Sequence, residues 1–189
     1  MEVALCAACA ARTTPVIVAA GELMVYAAGA YDGDLRAAIL AMKRGERAYL
    51  EPLAALLARA VPPGAILVPA VTTRGRAAER GFDQARELAR RAATRCGASV
   101  ADLLRKRGAA QRGRTRAARL AGCDRFRLRP GVPLPGCVVL VDDVVTTGAT
   151  LRDAAGALAA GGVVVAGAVV VAHAPLRETS AAGRESHEA

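Results

Sequence analysis

The chain contains no tryptophan, three tyrosines and two phenylalanines among its 189 residues. Its core must therefore be built from alanine, valine and leucine rather than from rings. Cysteine is sparse too: five are scattered along the chain, an odd number that argues against a disulfide framework. A reducing compartment, the cytoplasm, is the expectation. Cys6-Ala-Ala-Cys9 has the spacing of half a zinc site, but no second ligand pair lies near it, and both histidines stand towards the C-terminus. It is read as a remnant half-site, with no closed zinc site expected in a monomer. No strand precedes it, which argues against a thioredoxin-type redox motif. Basic residues are missing ahead of the first apolar stretch, where Glu2 stands, so no secretory signal is expected. Asp, Glu, Lys and Arg are missing from residues 154–176, a run long enough for a membrane helix. That run is mostly Ala, Gly and Val, lacks Trp or Tyr anchors, and is split by Gly161-Gly162. A helix ending at the glycine pair and a buried strand Val163–Val171 are expected instead, with no membrane span.

What is present is one domain's length of chain and a formal net charge of +9. The charge is unevenly placed. Residues 105–129 hold ten Lys or Arg and one acid, Asp124, leaving sixteen of each sign elsewhere. One segment thus carries the whole excess, and its partner should be anionic.

The informative stretch is Val138-Val-Leu-Val-Asp-Asp-Val-Val-Thr-Thr-Gly-Ala-Thr-Leu151. Four β-branched or leucine residues predict a strand buried on both faces. Asp142 and Asp143 are expected at its carboxyl end, then a loop with Thr146, Thr147, Gly148 and Thr150, then a helix to about Ala160. Ligands of open α/β sheets sit beyond the carboxyl ends of strands. A helix start offers unpaired N–H groups to an anion, Gly148 allows close approach of the backbone, and the threonines add donors. Carboxylates repel phosphate, so the acid pair needs sugar hydroxyls or a divalent cation as its partner. A ribose 5-phosphate unit satisfies both halves. No Lys follows the glycine, which excludes a Walker A loop.

Elsewhere the pattern alternates. Leu23–Ala28 reads as a strand. Tyr31-Asp-Gly-Asp34 reads as a turn and cap before a helix with Leu35, Ile39 and Met42 on one face. A helix over Leu53–Val61 follows Pro52 and stops at Pro62-Pro63-Gly64. Ala65–Val68 reads as a buried strand ended by Pro69. Val71–Gly81 reads as a loop bearing Arg74, Arg76 and Arg80, on the same side as the phosphate loop. Phe82–Arg95 reads as a helix with Arg86, Arg90 and Arg91 on its solvated side. Ser99–Leu104 reads as another strand. Arg105–Gly122 lacks an apolar face and reads as a long polar loop. Arg125–Arg129 alternates like an exposed edge strand. Strands alternating with helices give an α/β domain with a mainly parallel sheet flanked by helices.

Val138–Thr150 resembles the phosphoribosyl pyrophosphate (PRPP) motif of type I phosphoribosyltransferases. The resemblance extends further. Tyr31–Arg36 with Lys43, then Val68-Pro69, then Arg80-Gly-Phe-Asp-Gln84, then Arg107, Gln111, Thr115 and Arg119 resemble, in order, segments of the ComF family, the competence-associated phosphoribosyltransferase-like proteins of bacteria. The departures are Asp83 where the family has Asn, Gly122 where Asn is common, and the missing first half of an N-terminal four-cysteine module.

The resemblance implies a type I phosphoribosyltransferase fold over residues 26–172, after an N-terminal segment 1–25 and before a tail, 173–189, expected to lack order. It implies a mobile basic loop over the site. Asp142 and Asp143 would hold ribose hydroxyls, and Val144 and Thr146, Thr147, Gly148, Ala149 and Thr150 the 5-phosphate end. Arg74, Arg80, Arg105 and Lys106 are candidates for pyrophosphate, with Asp142, Asp143, Arg105 and Lys106 the catalytic set. Mg²⁺ would come with PRPP, and no residue is assigned as a metal ligand. The implied activity is transfer of ribose 5-phosphate to a nucleophile with release of pyrophosphate. The alternative is a non-catalytic PRPP-sensing or nucleic-acid-associated protein of DNA uptake, using residues 105–129. Phe126 is the one ring in that segment, which weakens a single-strand-binding reading. A phosphohydrolase or receiver domain fits the acids but not Thr-Thr-Gly-x-Thr.

Overall fold

A computed structural model of the chain describes residues 12–106 and 125–175, with Arg74 and Arg76 described by backbone alone. Cys6, Cys9 and most of the basic segment, 107–124, lie outside the described residues, as does the tail from 176. Strands β1 (Val16–Ala20) and β2 (Leu23–Ala30) lead into helices α1 (Gly33–Lys43) and α2 (Leu50–Ala58). Strand β3 (Ile66–Pro69), helices α3 (Arg74–Arg80) and α4 (Gln84–Cys96) and strand β4 (Ser99–Val100) follow. Short strands β5 (Leu104–Lys106) and β6 (Phe126–Leu128) flank residues 107–124. The chain then runs through β7 (Cys137–Val145), α5 (Ala149–Ala159) and β8 (Val164–His173).

Six strands form one sheet in the order β1-β2-β8-β7-β3-β4, and β5 pairs with β6 in a separate two-stranded ribbon. Only β1 runs antiparallel to its neighbour in the large sheet; the other pairs are parallel. The fold is thus α/β, with a mostly parallel central sheet flanked by helices. The strongly apolar β7 sits between β8 and β3, as a strand buried on both faces should. Its side chains alternate. Val139 and Val141 join the core beneath α1, α2 and α4. Val138 and Leu140 join a second core with Leu151, Ala154 and Leu158 of α5 and Phe126 of β6.

This topology creates a crevice. From β3 the chain leaves through α4 on one face to β4; from its neighbour β7 it leaves through α5 on the other face, in the opposite direction, to β8. The two exits part at the carboxyl ends of β3 and β7, the kind of switch point where such sheets bind ligands.

Several expectations are corrected. Asp142 and Asp143 do not follow the strand but lie within it, because β7 continues to Val145, pairing Asp142 with Val170 and Val145 with His173 of β8. Residues expected as an arginine loop after β3 instead form α3, seven residues long; Arg, Ala and Glu are good helix formers, enough for two turns despite Gly75. Ser99–Leu104 is not one strand: Ser99 and Val100 pair with β3, while Leu104 turns away to pair with Leu128 of the ribbon. The strand around Arg125–Arg129 is not simply an exposed edge, since Phe126 is 2% exposed and packs in the second core. Arg86 and Arg91 are not merely solvated: Arg86 pairs with Asp102, and Arg91 with Glu51 and Glu87, whereas Arg90 is exposed as expected. Strand β1, inside the segment set apart as 1–25, is an unforeseen part of the sheet. In place of one long apolar helix the chain turns between α5, which ends at Ala159, and β8, which starts at Val164, and among the described residues no helix is long and apolar enough to cross a membrane.

Candidate functional site

Two polar cavities meet at the acid pair. The first, about 190 Å³, lies at the crevice between β3 and β7 and is lined by Lys43, Thr72, Arg80, Gln84, Lys106 and Asp143, among others. The second, about 220 Å³, wraps the loop Thr146–Ala149 and includes Arg125. Asp142, Val144 and Thr150 line both.

Strand alternation separates the two carboxylates. Asp143 shares the face of Val139 and Val141, towards α1, and there Lys43, the last residue of that helix, places Nζ 3.0 Å from Asp143 Oδ2. Asp142 takes the opposite face and reaches both cavities; its Oδ1 accepts a hydrogen bond from the Asp143 backbone N–H at 2.9 Å. Burial, and then the neighbouring Asp143 charge, raise the Asp142 carboxyl to about 8, against the opposing pull of that N–H, Lys106 and Lys43. The shift favours the protonated form of the Asp142 carboxyl in the ligand-free site.

The loop after β7 has the geometry of an anion cradle. Gly148 takes φ +71° and precedes α5, and a Cβ there would collide with the Cβ of Ala20 on β1. Glycine is required both by the backbone and by the close approach of β1. Thr147 Oγ1 accepts from the Ala149 N–H at 3.3 Å, and an Arg152 guanidinium N–H donates to the Thr147 carbonyl at 2.6 Å. The N-terminal N–H groups of α5, an eleven-residue helix, complete the donor set.

Arg125, the residue before β6, joins this cavity. Its Nε lies 3.0 Å from Oδ2 of Asp153, which is buried one turn into α5. Burial raises the Asp153 carboxyl, with Arg125 foremost among the charges that oppose the shift. The pair holds the guanidinium at the mouth of the loop.

The first cavity is organised by α4. Asp83 caps that helix: its Oδ1 accepts from the Arg86 N–H at 3.0 Å, and its Oδ2 accepts from the Thr72 N–H at 2.7 Å. An acid at position 83 can accept both bonds at once, so its task is to tie the β3 exit to α4. Next to it, Arg80 donates to Gln84 Oε1 at 2.7 Å.

The structure therefore gathers Asp142, Asp143, Val144, Thr150, Arg80 and Lys106 around the first cavity, and Thr146, Thr147, Gly148 and Ala149 around the second. Arg105 is not brought in. It is exposed on the ribbon opposite Arg127, whereas its neighbour Lys106 turns the other way, to the cavity and to the ring of Phe126, 5.1 Å away. Arg74 opens α3, with its side chain outside the description. Lys43, Gln84 and Arg125 are the site residues that pattern reading did not assign. Lys43 carried a signal, a lysine in the last turn of an amphipathic helix, and Gln84 closes the quoted Arg-Gly-Phe-Asp-Gln run. Among the described residues no cluster of three or more His, Cys, Asp or Glu is placed to hold a metal.

In comparison with known proteins, the chain matches no protein-family model and no curated protein.

Proposed function

We propose that the chain is a type I phosphoribosyltransferase-like protein, akin to the ComF family, that binds PRPP across the two cavities. The observation that carries this is their arrangement: a donor-lined loop on one side of Asp142 and a cavity with Lys43, Arg80 and Lys106 on the other. A ligand with an anion at each end and a vicinal diol between them fits that order of groups. The 5-phosphate lies on the Thr146–Thr150 loop with Arg125 beside it. The ribose hydroxyls donate to Asp142 and Asp143. The pyrophosphate lies among Lys43, Arg80 and Lys106.

The reaction is displacement at the anomeric carbon. A nucleophile's lone pair forms the new bond, the carbon–oxygen bond to pyrophosphate breaks, and pyrophosphate leaves with the pair of the broken bond and takes up the proton that the acceptor releases. Lys43, Arg80 and Lys106 would hold the pyrophosphate end, and Mg²⁺ carried by the ligand would supply further charge neutralisation there. The protein's own part is positioning and electrostatics: the cations stabilise departing charge, and the acids favour positive charge developing on the ring. Among the described residues, no aromatic side chain lines either cavity. A flat base would find no stacking partner there, which favours an amine or hydroxyl acceptor.

Calorimetric titration with PRPP and Mg²⁺, set against nucleotides and duplex DNA, tests the reading. Saturable one-to-one binding of PRPP supports it; a chain that binds DNA and not PRPP overturns it. A second reading has its own observation. Arg105 and Arg127 are exposed and face each other across the ribbon, and like charges in that register weaken a strand pair. A nucleic-acid backbone at residues 105–129 would offset that repulsion.

A further inference from the structure

We propose that Gln84 is a ligand-binding residue of the first cavity, donating its side-chain N–H to an oxygen of the ligand's pyrophosphate end; this rests on the PRPP reading of the two cavities. Gln84 opens α4 and is 4% exposed, one of two buried polar residues among those described. Arg80 Nη1 lies 2.7 Å from one end of its amide. A guanidinium only donates, so that end is the carbonyl oxygen and the other is the NH₂ group. Nε2 is buried and has no hydrogen-bond partner among the described residues. Buried donors in folded proteins are nearly always paired, and leaving one unmade is costly, so an orphan in a cavity wall marks a place where a partner arrives.

Several of the protein's own acceptors around the cavity already have partners, and none of them reaches Nε2. Asp83 spends one oxygen on the Thr72 N–H and the other on the Arg86 N–H. Asp143 Oδ2 faces Lys43, and Asp142 Oδ1 accepts from the Asp143 N–H. An acceptor delivered by the ligand completes the set. Three cations beside a neutral donor select an oxyanion with several oxygens rather than a lone hydroxyl. Arg80 then has two tasks: it supplies charge and fixes which way the Gln84 amide points.

The probes are inorganic pyrophosphate with Mg²⁺ and ribose 5-phosphate, titrated separately by calorimetry into wild-type protein, Gln84→Leu and Gln84→Glu. In wild type both should bind. Gln84→Leu should weaken pyrophosphate by about 10- to 100-fold, the scale for one hydrogen bond to a charged group, and leave ribose 5-phosphate within about twofold. Gln84→Glu should weaken pyrophosphate at least as much, since it places a carboxylate where the donor stood. Gln84→Leu should unfold close to the wild-type temperature, because removing a buried NH₂ that has no partner offsets the loss of the one hydrogen bond from Arg80. A residue kept only for structure would destabilise the fold clearly and leave the affinity ratio of the two probes unchanged. If wild type binds both probes and Gln84→Leu changes neither, or weakens both equally, the role of Gln84 is refuted and the two-cavity reading stands. If wild type binds neither probe, the ligand reading fails and takes this inference with it.

Discussion

Lys43 Nζ lies 3.0 Å from Asp143 Oδ2, joining the end of the first helix to the carboxyl-terminal part of β7. Both side chains are largely shielded, 28% and 15% exposed. The contact ties α1 to the carboxyl end of the sheet at the edge of the first cavity.

Lys43→Met tests both effects. The pair is neither fully exposed nor fully buried, so its loss should cost about 1–2 kcal/mol of stability, between the values for surface and buried pairs. Denaturant unfolding of the ligand-free protein reads that number. The same variant should bind pyrophosphate with Mg²⁺ at least about tenfold more weakly, the scale of one charged hydrogen bond. Unchanged affinity would assign Lys43 to structure alone.

Asp142 gives the ligand-free protein a pH signature. Its carboxyl is raised from its ordinary 3.8 to about 8, chiefly by burial and then by the Asp143 charge. Between those values the folded state keeps a proton that the unfolded chain has released. The contribution is therefore full below the lower value and is lost as pH rises through the upper one. Urea unfolding at about pH 5 and about pH 8.5 should show wild type losing stability relative to Asp142→Asn across that interval. Parallel behaviour of the two proteins would mean that Asp142 is ionised throughout.

Gly148 and Gly156 provide an internal contrast within one loop and helix. At Gly148 a methyl group meets both a positive φ and the Cβ of Ala20. Gly148→Ala should destabilise by about 2–4 kcal/mol, adding backbone strain to overpacking, and should weaken ribose 5-phosphate binding. Gly156 sits inside α5, where an added methyl group would meet nothing within 4 Å beyond the helix's own backbone. Gly156→Ala should stabilise by about 0.5–1 kcal/mol through helix propensity. Thermal unfolding of the two variants separates the predictions by sign.

These contrasts show which parts of the structure the sequence carried. The strand-to-helix course of Val138–Ala160 was legible because apolar residues, glycine and threonines fall in a local order that admits one backbone path. The end of β7 was not, since whether Asp142 and Asp143 lie in the strand depends on pairing with β8, whose partner residues are distant in sequence. Strand β1 is five residues of Val, Ile and Ala before a glycine; its place is set by its register with β2 and by Gly148 pressing on Ala20. The meeting of Lys43 with Asp143 depends on a crossover passing over two strands, which no local pattern encodes. The unpaired Nε2 of Gln84 is visible only in the folded packing, where Arg80 takes the other end of the amide.

Arg105 and Lys106 are adjacent in sequence and face opposite ways, which lets one pair of variants separate the two functional readings. Lys106 lines the first cavity, whereas Arg105 points outward beside Arg127. If the site serves PRPP, Lys106→Ala should weaken pyrophosphate with Mg²⁺ by about tenfold or more, and Arg105→Ala should stay within about twofold of wild type. If the ribbon serves nucleic acid, the order inverts. Arg105→Ala should then weaken duplex DNA binding irrespective of sequence and lower the slope of log affinity against log salt by about 0.9 for each phosphate contact removed. Calorimetry with pyrophosphate and salt-dependent fluorescence anisotropy with labelled duplex read the two outcomes on the same three proteins. A loss of pyrophosphate affinity confined to Lys106→Ala, with no saturable DNA binding by wild type, would leave the PRPP reading standing and remove the nucleic-acid one.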